Sequence, residues 1–243
     1  MNAEQRALMF NCYGSGLVGV VEVPERPLPR GVLVVTGGPQ YRVGSHRQFT
    51  ILARTLSQRG IPVMRFDRRG MGDSEGRPRS VERIDEDIRA AMKEFFMQVP
   101  EMQEVVIWGL CDAAAATALY VATDERVCGL VLFNPWVRTW QRAAPLSKNV
   151  AGDKPDGDDG DDGAGDENAA LPRQVIDSLA GYAGQMLVIL FGDDLTGAEF
   201  ARLMAHHKVR ARRIDVSGAT HTFASRTWRA EVAEASANWL MSW

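Results

Sequence analysis

Short, nearly continuous apolar runs alternate along the chain with longer stretches in which apolar residues return every three or four positions. The runs at Gly31–Val35, Pro62–Phe66, Val105–Trp108, Val127–Phe133, Gln185–Phe191 and Ala211–Val216 predict strands. Apolar residues on both sides of a strand predict burial on both faces, as in a parallel sheet. Helices are predicted near residues 47–58, over 81–97, from Ala113 onward, near 196–206 and over 225–243. In the second of these Ile84, Ile88, Ala91, Met92 and Phe95 share one face. Residues 7–13 and 16–23 flank Gly14-Ser15 and predict a β-hairpin, which Pro24, Pro27 and Pro29 end. Strand–helix alternation of this kind predicts an α/β protein with a mostly parallel, eight-stranded, doubly wound sheet. Sites on such sheets form at the carboxyl ends of strands. The segments to watch are therefore 36–46, 67–76, 109–113, 192–197 and 217–223.

The rhythm breaks over residues 134–184. Its middle, 151–168, alternates acids with glycine and holds eight acids against Lys154, a local charge of −7 within a net −3. Such a stretch buries too little to offset its ordering entropy, so disorder is expected there. It lacks the glycine offset and closing glutamate of a calcium loop. A short helix is expected over Pro172–Ala180. One domain spanning 1–243, with a reduced and partly disordered cap insertion at 137–184, accounts for the pattern.

Composition adds mostly exclusions. At 45% hydrophobic and 24% charged the chain can bury a sizeable core. It has neither a basic block nor basic–aromatic alternation, so nucleic acid is not an expected partner. The start Met-Asn-Ala-Glu-Gln-Arg is unlike a secretory leader, and no apolar run approaches the ~20 residues of a membrane span. Cys12, Cys111 and Cys128 have no metal-type spacing, which fits reduced thiols in the cytoplasm. No metal or cofactor is expected.

The chemistry centres on Val105-Val106-Ile107-Trp108-Gly109-Leu110-Cys111-Asp112-Ala113-Ala114. A strand, a tight turn and a helix in so few residues is the context of a nucleophile elbow, G-x-S-x-G, with Cys111 in the serine place and Ala113 in that of the second glycine. Strand and helix nearly touch there, which requires small residues. The helix behind Cys111 aims its positive end at the sulfur. Read alone, a cysteine at the end of a buried strand is more often a small, inert, well-packed hydrophobe. A nucleophile needs a base and an orienting acid. His221 follows the last strand and fits the base better than His46, or than His206 and His207 on a surface helix. Asp194, after the preceding strand, is the expected acid; Asp193 in that role, with Asp194 capping the next helix, stays open. The order nucleophile, acid, base is that of α/β-hydrolases. Oxyanion donors are expected from the amides of Asp112 and Gly38, Pro39 having none to give.

Further segments carry a resemblance. Phe66-Asp67-Arg68-Arg69-Gly70-Met71-Gly72-Asp73-Ser74 resembles the F-D-x-R-G-x-G-x-S loop of the α/β-hydrolase superfamily. Gly37–Phe49, Trp108–Ala114, Phe133–Thr139 and Gly192–Thr196 resemble the hydrolase type 1 associated with exosortase A systems. The resemblance implies a hydrolase fold with a cysteine nucleophile in bacteria that make exopolysaccharide. Dienelactone hydrolases, similar in fold, show that a Cys-His-Asp triad can act on esters. The chain departs from the pattern in its short cap and at Arg68, where an aromatic residue is common.

Three functions follow as expectations. The first is an ester or thioester hydrolase acting on a small-molecule or acyl/glycan-type substrate. The second is an acyltransferase with the same triad and a sugar acceptor. The third is a non-catalytic interaction protein that uses the acidic segment to meet a protein partner.

Overall fold

A computed structural model describes residues 3–38, 40–135, 164–191, 195–218 and 224–243. Eight strands form one sheet: β1 Ala3–Cys12, β2 Ser15–Pro24, β3 Arg30–Val35, β4 Val63–Phe66, β5 Glu104–Leu110, β6 Val127–Phe133, β7 Gln185–Phe191 and β8 Arg212–Val216. Their order is β1-β2-β4-β3-β5-β6-β7-β8, with β1 and β2 antiparallel members and β4 to β8 mutually parallel with β3. Among the described residues six α-helices accompany them: α1 Gln48–Ser57, α2 Asp85–Gln98, α3 Asp112–Tyr120, α4 Ala164–Gly181, α5 Leu195–His206 and α6 Arg226–Leu240. This is the α/β-hydrolase fold.

Helices cover both faces of the sheet, which is why the central strands lack polar alternation. On one face Ile107, Leu130 and Val188 pack with Ile88, Phe95 and Phe200. On the other, Trp108, Phe133 and Phe191 pack beneath Phe49 of α1 and Val232 of α6. Trp108, Phe133 and Phe191 stack edge to face or tilted at 5.1–5.3 Å. Trp108 Nε1 donates to Ser236 Oγ (3.2 Å), so the buried indole keeps a partner.

Two boundaries differ from expectation. The hairpin turns at Tyr13-Gly14, not Gly14-Ser15, because Cys12 pairs with Ser15. Both turn residues have positive φ (48° and 87°), the two-residue geometry that matches strand twist. The helix expected over 172–180 is α4, which begins at Ala164 and so takes in 164–168, residues expected to be disordered. Ala164, Glu167, Ala169 and Ala170 are helix-compatible residues, and Pro172 sits inside the helix instead of opening it. The rest of the acidic stretch, 151–163, and cap residues 137–150 lie outside the described residues.

Candidate active site

The elbow is where sequence and local geometry agree most closely. β5 ends at Leu110, and α3 starts at Asp112, leaving Cys111 as the single residue of the turn and the N-cap of α3. Its backbone lies at φ 57°, ψ −120°, a conformation that costs a non-glycine residue about 1–3 kcal/mol. The turn is over-determined by its bonds. Cys111 N–H donates to Phe133 O at the tip of β6 (2.9 Å), and Ala114 N–H donates to Cys111 O (3.1 Å). A Cβ on Gly109 would come within 2.9 Å of both Ala114 Cα and Thr117 Oγ1, so strand and helix do nearly touch there. Ala113 is fully buried.

The loop after β3 closes over the same point. A Cβ on Gly37 would lie 2.1 Å from Leu110 O, which confines that position to glycine. Gly38 follows at φ 56°. Its amide, expected to face an oxyanion, donates to Asp112 Oδ1 at 2.6 Å. Ala113 N–H donates to the same oxygen (2.9 Å). Arg68, 3% exposed, reaches in from the loop after β4: its Nη2 donates to Gly38 O (3.0 Å) and stands 3.7 Å from Asp112 Oδ2. Its Nε is buried with no hydrogen-bond partner. The structure thus brings Asp112 and Gly38 together next to Cys111. The Asp112 carboxylate and Arg68 are additions that sequence reasoning missed. The sequence pattern singles out Asp112 for its amide alone and Arg68 only as a departure from an aromatic. Their opposite charges were the available signal.

Asn134 is a further addition. At positive φ (42°) after β6, it donates its N–H to Ile189 O (2.8 Å) and accepts from Phe191 N–H through Oδ1 (3.4 Å). It thereby ties the end of β6 to the end of β7, directly before the segment expected to carry the acid. Asp193, Asp194 and His221 lie outside the described residues. The strands that precede them, β7 and β8, run parallel to β5 and end at the same edge of the sheet.

The glycine-punctuated loop 67–76 turns out to serve the framework. Asp67 is fully buried and accepts from the amides of Arg42 (2.6 Å) and Asp73 (3.0 Å) while pairing with the Arg42 guanidinium. That clamp fixes the 36–46 loop against the sheet. Arg65 pairs with Glu22 (2.7 Å), and Arg69 with Glu86 (2.6 Å) and Asp87 (2.5 Å). An open cavity of about 840 Å³ lies at the opposite end of the sheet, against Gln185, Met186 and Arg212 at the starts of β7 and β8. That is the wrong end for chemistry on a parallel sheet. Among the described residues no cluster of His, Cys, Asp or Glu is arranged to hold a metal, and no helix is long and apolar enough to cross a membrane.

The model of the serine aminopeptidase S33 family, a hydrolase family, matches residues 28–153, more than half of the chain. The chain belongs to the S33 family. An uncharacterized protein of Pseudomonas aeruginosa is 31% identical over 135 residues, 53% of this chain and 36% of that protein. The chain therefore matches only about a third of that relative's length. Est1E from Butyrivibrio proteoclasticus, solved with ferulic acid bound, superposes with a TM-score of 0.74 at 17% identity, covering 97% of this chain and 98% of its own. The Pyrococcus furiosus esterase PF2001 gives 0.72 at 16% identity (99% and 92% covered). A dienelactone hydrolase from Anabaena variabilis gives 0.69 at 16% identity (99% and 98%). At these identities the structural likeness speaks for the fold. The S33 family is named for a serine; the elbow of this member carries Cys111.

Proposed function

We propose that this S33-family member is a carboxylic ester or thioester hydrolase whose nucleophile is Cys111. The observation that carries the reading is the backbone of Cys111, held at φ 57°, ψ −120° between β5 and α3 by close contacts at Gly109 and Gly37. An inert packing thiol needs no such strain, whereas a nucleophile presented at a strand-to-helix turn does. His221 takes the thiol proton as sulfur attacks the acyl carbon, and Asp194 holds the His221 tautomer. The carbonyl electron pair moves onto oxygen, where the amides of Gly38 and Asp112 receive it. Collapse expels the alcohol or thiol, protonated by His221. Water, activated by the same histidine, then cleaves the acyl-cysteine.

The substrate is a small acyl-type molecule, and the resemblance to exosortase-associated hydrolases favours a setting of exopolysaccharide production. Three free cysteines favour the cytoplasm. Intact-mass spectrometry after exposure to aryl esters and acyl thioesters tests the reading, with wild type beside Cys111→Ala. An acyl mass on wild type alone, with turnover at least about a thousandfold lower in the variant, is the expected result. Equal turnover by Cys111→Ala would sink it, and a sugar acceptor that outcompetes water would turn it into acyl transfer.

A further inference from the structure

The Gly38 amide cannot serve two anions at once, and in this structure it already holds one. Asp112 Oδ1 sits 2.6 Å from Gly38 N and 2.9 Å from Ala113 N. Both are charge-assisted bonds of the stronger kind. An acyl oxyanion that needs Gly38 N–H must displace this carboxylate, because the two charges repel. The carboxylate has a second seat nearby. Its Oδ2 faces Arg68 Nη2 at 3.7 Å, too far for a hydrogen bond. Arg68 Nε, on the same edge of the guanidinium as Nη2, is buried without a partner. A shift of the carboxylate toward that edge would give the two-point pairing that arginine favours.

We propose that the Asp112 carboxylate is a built-in plug of the oxyanion hole, and that Arg68 is the positioning residue that draws it off the Gly38 amide as negative charge develops on the substrate. The two states exchange one set of bonds for another. With the plug in, Arg68 Nε lacks a partner; with the plug out, Nε is satisfied and Gly38 N–H is released to the oxyanion. A ground-state carbonyl displaces a carboxylate poorly and an oxyanion displaces it well, so the device discriminates in favour of the transition state.

The inference rests on Cys111 being the nucleophile, and two reagents separate the two claims. Iodoacetamide alkylates a thiolate by displacement at a methylene and forms no oxyanion. An aryl trifluoromethyl ketone does form one: sulfur bonds to the carbonyl carbon, the C=O pair moves to oxygen and the thiol proton passes to His221. Asp112→Ala is expected to tighten the ketone about tenfold relative to the rate of alkylation. The isosteric Asp112→Asn, which keeps the packing but not the charge, should tighten it by a smaller factor. Arg68→Met should weaken the ketone about tenfold, and Arg68→Lys should recover only part of the loss, since it restores the charge and not the paired donors. If both Asp112 variants bind the ketone no better than wild type while iodoacetamide still modifies Cys111, the carboxylate is a helix cap and the plug is refuted. If wild type neither binds the ketone nor reacts with iodoacetamide, the nucleophile reading fails and the plug falls with it.

Discussion

The loop after β4 and the turn after β5 flank the same strand, β3, and both are built on glycines, yet they treat their polar groups in opposite ways. In the loop after β4 the groups that serve the loop itself are saturated, and Arg68, which reaches out of it toward the turn after β5, alone keeps a buried atom without a partner. Asp67 holds two amides and a guanidinium, Ser74 Oγ donates to Asp67 O (2.7 Å) and accepts from Val18 N–H (2.9 Å), and Gly70 N–H donates to Glu75 O (2.9 Å). A Cβ on Gly72 would lie 2.3 Å from Asp67 Oδ2, so the glycine there serves the carboxylate's enclosure. Around the turn after β5 two buried polar atoms, Thr36 Oγ1 and Arg68 Nε, lack partners, and Cys111 is strained. Glycine marks close approach in both places. What separates framework from site is polar capacity left unfilled, together with backbone strain.

The sharpest way to break that contrast is to open the framework. Asp67→Ala would leave two amides facing an empty pocket and the Arg42 guanidinium held by the exposed Asp73 alone. Removing one partner of a buried, hydrogen-bonded ion pair costs about 3–5 kcal/mol. Denaturant unfolding should show a loss of that size. A loss below about 1 kcal/mol would mean that the loop is not the clamp its bonds suggest.

Much of this was legible in the sequence, for identifiable reasons. The central strands announce themselves because burial on both faces removes polar residues. The elbow does so because Gly109 and the alanine block bracket Cys111 within one turn. Loop 67–76 stood out in the sequence by its glycines, and Gly72 is one that encloses the chain's own Asp67. The misses are of two kinds. Tyr13 was not an evident turn residue, since a tyrosine at φ 48° is favoured only by the register that Cys12 and Ser15 impose. Pro172 resembled a helix start because proline prefers that position, and neighbouring propensity carried the helix past it. The Arg68–Asp112–Gly38 cluster joins three loops far apart in sequence, and only the sheet order brings them together.

A second, smaller effect compares thiols. Cys12 belongs to the saturated framework: its Sγ lies 3.5 Å from Asp87 Oδ1, the carboxylate that also holds Arg69. Burial, with Asp87 adding to it, pushes the Cys12 thiol up to about 11. Burial, with Glu104 adding, pushes Cys128 up to about 12. The charged form is the reactive one, so at pH 8 the Cys12 thiolate is about a hundredfold scarcer than that of an unburied cysteine. Iodoacetamide at pH 8 should therefore add one label, located at Cys111 by peptide mass, and raising the pH toward 11 should bring Cys12 in next. Equal labelling of Cys12 at pH 8 would place it outside the closed framework.

The smallest effect bears on the strain itself. If the backbone of Cys111 is held in its conformation by Gly37, Gly109 and the bond to Phe133 O, a residue without a Cβ should sit there more comfortably. Cys111→Gly removes a penalty of about 1–3 kcal/mol, against which the greater freedom of glycine in the unfolded chain costs about 0.5–1 kcal/mol. The net expectation is a protein about 1 kcal/mol more stable and catalytically dead, whereas Cys111→Ala, which keeps the Cβ, should be dead without that gain. A midpoint of denaturant unfolding that rises for glycine and not for alanine would locate the strain in the backbone of Cys111. Equal midpoints would mean that the turn relaxes once the sulfur is gone, so that the side chain's own contacts impose the conformation, and the contrast between a closed framework and a strained site would then rest on Arg68 and Thr36 alone.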